Sequence, residues 1–547
     1  MPAGKLWKLG GLVEERNYFG LLLFFSAVLF FPFLGARNFW APVEPRYAEI
    51  ARVMLSKGEW ITPTVNGDLY TDKPILYFWL VLLFSKLAGG VNEWTVRLPS
   101  ALSAMGLVLT VYGLGRDFFR PRAGFLAGLI CGTSARVLWE GRWAHTDMLF
   151  AFFFTLSLYF LARAILKENR ARDFFFAYAL MALATLTKGL IGIVLPGLIV
   201  IAFVALRREW RRLLEWRLVT GAALFLLIAA PWFSFVTAAT GGQWLKEFIL
   251  FHHFQRYAGE VGHREPFYYY LVNFPADFLP WTIFAIPALY NQRKKLACFR
   301  RPIPLFFLLW FAVIFVFFNL SHSKRALYLL PAFPPAALFV AQYFEQLRDN
   351  DLPQDALYRW PAYGFFSVLG LAGLLLPAAT WFFQKDLIAI SLPTSLFMAG
   401  GAWLTLLSIR RQLPFLALFS TALTVLLTMV YTAGWILPAI DLYKSPRPFA
   451  LQVKKLVPTE EPLFIYADTM NDFNFYLERE TVPVLSSPEQ LERAISQTHK
   501  VYLLIRDRDL VRLALKMKPR ILAAAQVGGK KWSLTAWEPE DGTRRGP

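Results

Sequence analysis

The residues best suited to chemistry sit in a few polar stretches between long apolar runs. The first contains Glu44, Pro45, Arg46, Tyr47 and Glu49. From Pro45 onward the pattern predicts an amphipathic helix, with proline in its first turn and Tyr47, Ile50, Met54 and Leu55 on one stripe. Glu44 would then stand just before the helix, where unpaired N–H groups and the dipole favour a carboxylate. An interfacial helix with an acid at its start also accounts for it. Next, Asn66-Gly67 signals a turn, and Asp72-Lys73 opens an apolar segment that begins at Pro74 and carries Tyr77, Phe78 and Trp79. A lysine there either snorkels or holds a phosphate head group as a point charge. Further on come Arg142, His145 and Asp147, Thr187-Lys188-Gly189, then His252-His253 with Arg256 and His263, and finally Ser321 to Tyr328 with Lys324 and Arg325. Asp147 also reads as a helix cap, and Ser321–Arg325 as a short basic turn. No histidine pair has the i, i+4 spacing of a zinc helix, so a divalent metal is left open with no signal for it. Lys73, Arg256, Lys324 and Arg325, with tyrosine hydroxyls and a few carboxylates, suit an anionic lipid head group and a reaction that uses a carboxylate.

The elements that must position these groups are membrane spans. Of the 547 residues, 56% are hydrophobic and 17% charged, with 52 Phe and 19 Trp, and the mean hydropathy is +0.42. Soluble chains are about 45–50% apolar and about 25% charged, so a water-soluble enzyme and a disordered chain are both excluded. A spanning helix needs about 20 mainly apolar residues. Runs at 18–35, 98–115, 123–139, 147–166, 173–188, 189–206, 218–239, 269–290, 303–320, 326–345, 361–383, 388–409 and 413–438 give thirteen spans. A fourteenth run, 74–90, starts at a proline, contains Lys86 and ends Gly89-Gly90, which suits a helix lying along the surface. With it so placed, the basic connections fall on one side, Arg207–Arg212 and Arg293–Lys295 being the strongest anchors. The positive-inside rule makes that side cytoplasmic, together with the N-terminus, whose first span reads as uncleaved. Five of the six histidines then fall in the outward connections with Glu44, Glu49, Asp68, Asp72 and Asp147. Intramembrane and membrane-face polar groups gathered on one side form a site candidate.

The net charge of +19 lies mostly in those connections, where it records topology rather than a nucleic-acid partner. Cys131 and Cys298 are far apart and argue against a disulfide framework or a cysteine-based metal site. After Ile440 hydropathy drops. Leu463–Tyr466, Val482–Leu485, Val501–Ile505, Ile521–Ala525 and Trp532–Ala536 read as strands, with helices at 470–478, 488–497 and 507–516 between them. The expected organisation is a transmembrane domain over 1–440, with an outward loop at 36–97, and a small extracytoplasmic α/β domain over 441–547. That small domain has no Gly-rich phosphate fingerprint.

Five segments together carry a family resemblance: Glu44–Arg52, Asp72–Tyr77, Asn92–Leu102, Leu186–Gly189 and Ser323–Pro334. In this order and at these loop positions the chain resembles the lipid-carrier-dependent membrane glycosyltransferases of the GT-C fold, nearest to the ArnT-like aminoarabinose transferases acting on lipid A, within the wider protein O-mannosyltransferase superfamily. The resemblance covers nearly the whole chain. It implies thirteen spans, surface helices in the first outward loop, and a sugar donor on a polyprenyl phosphate such as undecaprenyl phosphate. It assigns the carrier phosphate to Lys73, Arg256 and Tyr328, with Arg46 supporting the loop. Asp147 matches the family carboxylate at the start of the fourth span. Asp72, His145, Lys324 and Arg325 are expected to support the acceptor side. The family usually has Asp-Glu where this chain has Val43-Glu44, so the carboxylate role falls to Glu44 or Asp147, or the acceptor needs no base. A phosphate acceptor is already ionised, whereas a hydroxyl is not. The expected activity is inverting transfer of a sugar to a lipid A or other envelope acceptor at the outer face of the inner membrane. A polyprenyl-lipid flippase, or a GT-C scaffold without catalysis, are the alternatives.

Overall fold

The computed structural model describes residues 15–167, 171–210, 216–255, 264–294, 301–348, 356–468, 472–498, 500–514 and 519–537. The chain forms two compact units.

The helical unit comprises residues 1–34, 71–77 and 97–436. Its helices are α1 (Tyr18–Phe30), the C-terminal part of α4 (Glu93–Phe118), α5 (Pro121–Gly132), α6 (Ala135–Gly141), α7 (Thr146–Leu166), α8 (Ala171–Lys188), α9 (Ile191–Arg207) and α10 (Trp216–Ala239), then α11 (Tyr269–Asp277), α12 (Thr282–Lys294), α13 (Pro302–Leu320), α14 (Phe333–Arg348), α15 (Ala356–Phe383), α16 (Ile388–Arg410) and α17 (Pro414–Tyr431). Among the described residues eight helices are long and apolar enough to cross a membrane, and Ile191–Arg207 is a shorter apolar one. The protein is a multi-pass membrane protein.

Two expected spans are broken. The run 123–139 divides between α5 and α6 at Ser134, whose backbone is extended (φ −70°, ψ 136°). The Thr133 and Ser134 hydroxyls bond back to the Leu129 and Ile130 carbonyls at 2.5 and 2.7 Å and so cap the end of α5. The Trp281 indole N–H donates to Thr133 Oγ1 at 3.0 Å, within the break at 278–281 that separates α11 from α12. Close helix approach is bought by small residues: a methyl on Gly115 of α4 would lie 2.2 Å from Gly124 Cα of α5.

The second unit comprises 35–70, 78–96 and 437–547. Its first helix, α2, runs Val43–Lys57, two residues earlier than the sequence pattern suggested. Proline at the third helical position costs nothing, since the first four N–H groups have no intrahelical partner anyway. Glu44 therefore lies inside the first turn rather than before it. Gly58 closes α2 in the left-handed region at φ 65°. The Asn66-Gly67 turn joins β1 (Thr64–Val65) to β2 (Asp68–Leu69), with Val65 opposite Asp68. Both turn residues have positive φ, 57° and 85°, as a two-residue hairpin of this hand requires. α3 (Leu76–Leu87) starts in the other unit and continues here. Its twelve residues reach about 18 Å, short of the ~30 Å hydrocarbon core.

The C-terminal part is a five-stranded mixed sheet ordered β4-β3-β5-β7-β6. Its strands are β3 (Leu463–Tyr466), β4 (Val484–Leu485), β5 (Val501–Arg506), β6 (Arg520–Val527) and β7 (Lys530–Trp537). The helices Pro488–Thr498 and Asp507–Ala514 connect strands, and Leu491, Ile495, Leu510 and Leu513 pack with Leu503, Ile505 and Trp537 into one core.

Candidate active site

In the helical unit the outstanding feature is a buried ion pair. Asp147 is in the first turn of α7, and its carboxylate accepts from the ammonium of Lys188, the last residue of α8. Gly189 (φ 98°) turns the chain sharply, and α9 starts two residues later. A helix N-terminus favours an anion and a helix C-terminus a cation, so each partner sits at the end its charge prefers. The pair is nearly out of solvent, at 8% and 9% side-chain exposure. The Lys188 ammonium also lies 4.8 Å from the Tyr328 ring centroid and 5.1 Å from that of Phe150, within cation–π range.

Around this pair several expected site residues come together. His145 Nδ1 is 3.9 Å from Asp147 Oδ2 and 3.0 Å from Glu140 Oε2. Glu140 in turn meets Arg136 at 3.2 Å, and Arg136 donates to Asp277 at 2.7 Å. The Lys73 charge is close enough to act on the Asp147 carboxylate, while Lys73 Nζ contacts Asp72 Oδ1 at 3.2 Å. Residues 71–77 are tied to the helices on both sides. Thr71 donates to Glu247 at 3.1 Å, the Tyr77 hydroxyl meets Ser100 Oγ at 3.1 Å, and Ser100 donates to the His145 carbonyl at 3.2 Å. Thus Lys73, Asp72, His145, Asp147 and Tyr328, from three separate parts of the sequence, share one neighbourhood with Lys188.

The remaining residues fall elsewhere. Lys324 is buried and donates to the Ser321 and Glu265 carbonyls at 2.6 and 3.3 Å, so its ammonium fastens its own turn. Arg325 is exposed, and its backbone exchanges hydrogen bonds with the Tyr270 hydroxyl. Arg256 and His263 lie outside the described residues, as do the side chains of His252 and His253. Among the described residues no group of three or more His, Cys, Asp or Glu could hold a metal ion.

Glu44 and Arg46 belong to the second unit. Glu44 has no exposed surface, and its two oxygens take Arg37 guanidinium nitrogens at 2.6 and 3.0 Å. The Trp40 N–H donates to it as well, at 3.1 Å. Asp441 continues the network, accepting from the Asn38 N–H at 2.7 Å and the Trp40 indole at 2.6 Å. Arg46, half-buried on α2, acts electrostatically on Asp472. Burial drives the Asp472 carboxyl up to about 6, against the pull of Lys530 and Arg46, and its Oδ1 is buried without a hydrogen-bond partner.

Two residues at the centre of the helical site escaped the sequence reading. Lys188 stood in a recognised motif, yet nothing in a spacing of forty-one residues joins it to Asp147. Glu140 closes an apolar run where a lone acid gives no signal of its own.

The family description of dolichyl-phosphate-mannose-protein mannosyltransferases matches residues 72–235. The chain is 30% identical to an undecaprenyl phosphate-alpha-4-amino-4-deoxy-L-arabinose arabinosyl transferase of Pseudomonas aeruginosa, covering 72% of this chain and 71% of that one. It is 28% identical to the protein of the same name from Shewanella sediminis, over 84% of each. Among solved structures it is similar to ArnT from Cupriavidus metallidurans bound to undecaprenyl phosphate, with a TM-score of 0.76 at 22% identity, over 94% of this chain and 97% of that one. That likeness establishes the GT-C fold.

Proposed function

Because this chain belongs to the family of undecaprenyl-phosphate aminoarabinose arabinosyl transferases, we propose that it moves a sugar from a polyprenyl-phosphate carrier to a lipid A-type or other envelope acceptor at the outer face of the inner membrane. The observation that carries the reading is the buried Asp147–Lys188 pair lying against Tyr328, with Lys73 in reach of its charge.

The reaction is an inverting single displacement. An acceptor oxygen bonds to the anomeric carbon as the bond from that carbon to the carrier phosphate breaks, and the electron pair leaves with the phosphate. Lys73 and Tyr328, joined by Arg256, stabilise the negative charge growing on the departing group, which is electrostatic catalysis of the oxyanion type. Asp147 places a fixed negative charge near the electron-poor carbon and orients the acceptor. If the acceptor is a hydroxyl, it also takes the proton. A phosphate acceptor gives up no proton. Lys188 positions Asp147, and Tyr328 steers Lys188 through its ring. Glu44, enclosed by Arg37 and Trp40, acts as a strut of the first loop, and His145 with Glu140 supports the start of α7.

The test uses proteoliposomes containing an undecaprenyl-phosphate sugar and a lipid A acceptor. Lys73→Ala is expected to weaken donor use by at least a hundredfold in kcat/KM, and Asp147→Ala to abolish product while insertion is unchanged. Undiminished product in either variant removes that residue from the scheme. Free carrier phosphate formed one for one with product separates transfer from flipping, and its absence would leave a transporter or a lapsed scaffold.

A further inference from the structure

The lipid-facing surface of the helical unit carries a groove remote in sequence from the catalytic cluster. It runs between α16 and α17, encloses about 450 Å³, and is lined by Leu396, Gly400, Leu404, Phe419 and Leu423, with Arg411 at one end. On α16 the lining residues recur every three or four positions, so they form one face. From Leu396 to Arg411 that face is about 22 Å long, comparable with one leaflet including its head groups.

Three observations identify the occupant. First, both helices are candidate membrane spans whose surface is largely uncovered by protein, so an acyl chain is the medium around them. Second, the hydroxyls in the walls are spent internally. Ser408 donates to the Leu404 carbonyl at 2.7 Å, Ser420 to that of Ala417 at 3.1 Å and Thr424 to that of Ser420 at 2.7 Å, which leaves an apolar lining. Third, Arg411 and the adjacent Arg410 are exposed, and among the described residues neither has a carboxylate partner. An apolar channel of one-chain dimensions ending in two exposed cations with no carboxylate partner among the described residues complements an anionic lipid.

The two glycines of the groove have different duties. A methyl on Gly401 would strike Thr424 at 1.9 Å, so Gly401 lets the helices meet, whereas a methyl on Gly400 would touch nothing within 4 Å. Gly400 keeps the channel open.

We infer that the α16–α17 groove is a binding site for one acyl chain of an anionic phospholipid, with its phosphate head group on Arg411 and Arg410. The proposal is independent of the catalytic assignments. The full-length protein would be reconstituted with phosphatidylglycerol or phosphatidylcholine, exchanged into mild detergent, and its retained phospholipid counted by native mass spectrometry. Wild type is expected to retain one phosphatidylglycerol more than Gly400→Leu, which fills the channel without displacing backbone. Gly364→Leu, on α15 and likewise facing open space, should retain lipid as wild type does. Arg411→Gln should lose about fivefold in preference for phosphatidylglycerol over phosphatidylcholine, the equivalent of ~1 kcal/mol for one basic residue at an anionic surface. Equal retention by wild type and Gly400→Leu would overturn the proposal. So would a phosphatidylglycerol preference unchanged in Arg411→Gln, or a wild-type dimer that Gly400→Leu dissolves, which would give the groove to a second copy.

Discussion

Replacing Lys188 with methionine tests whether the buried pair at the head of α7 governs transfer. Methionine preserves length and apolar bulk but leaves the Asp147 carboxylate, at 8% exposure, with its closest cation gone. Removing one member of a buried pair costs about 3–5 kcal/mol, because the other charge is left uncompensated. At 1.36 kcal/mol per tenfold, a loss of that size in the transition state lowers kcat/KM by about 160- to 5,000-fold. The same energy could instead be lost in folding, so Asp147→Asn and the double variant complete the cycle. Lys188→Met alone should be both slow and less heat-stable. With Asp147→Asn added, neither charge of the pair remains and the melting temperature should recover toward wild type, while transfer stays absent because the carboxylate of the proposed scheme is missing. The assay is release of carrier phosphate from a lipid-linked sugar in proteoliposomes, alongside thermal unfolding in the same lipid. A Lys188→Met protein within threefold of the wild-type rate refutes the positioning role, and an active double variant refutes Asp147.

The strut role of Glu44 predicts that Glu44→Gln loses about 3–5 kcal/mol of stability by stranding buried Arg37, and that adding Arg37→Met restores the melting temperature and most of the transfer. A catalytic Glu44 would give a normally folded, inactive Glu44→Gln protein. For Asp472 the folded-state value of about 6 is raised from 3.8, so folding favours the protonated form. Its contribution is therefore neutral below pH 3.8, turns unfavourable between 3.8 and 6, and reaches a cost of about 3 kcal/mol above that window. Asp472→Asn should raise thermal stability at pH 8 and lose its advantage by pH 4, as read from hydrogen exchange of β7; a gain independent of pH would contradict the buried-carboxylate account.

The C-terminal sheet was legible because its short apolar strands are bounded by turn residues and separated by amphipathic helices, a pattern that survives without knowledge of partners. Membrane helices were legible for the same reason, through runs of apolar residues. Interruptions were not. Hydropathy cannot see the extended backbone at Ser134 that parts α5 from α6, and Pro45 looked like a first helical residue when any of the first turn's positions accepts it. Asp147, Lys73 and Tyr328 stood out in the sequence from their loops and from family likeness, and the structure brings them near one another. Lys188 became visible through its contact with Asp147, since a pair formed across a helical hairpin leaves no fixed spacing, whereas Glu140 pairs locally, four residues from Arg136 and five from His145. Glu44 shows the converse: its type and place suggested chemistry, yet Arg37 closes over it.

The second unit is assembled from pieces at opposite ends of the message. Asn38 and Trp40 rest on Asp441, the Phe39 N–H on Tyr476, and Tyr476 on Glu93. At a synthesis rate of about 5–20 residues per second, residues 35–96 emerge roughly 20–70 s before 437 onward is made. For that interval the early loop holds its internal Arg37–Glu44 pair but lacks Asp441 and Tyr476, so the contacts to these two residues form only late in translation or after it. A stalled chain ending at residue 436 would lack the Asp441 and Tyr476 contacts of this loop.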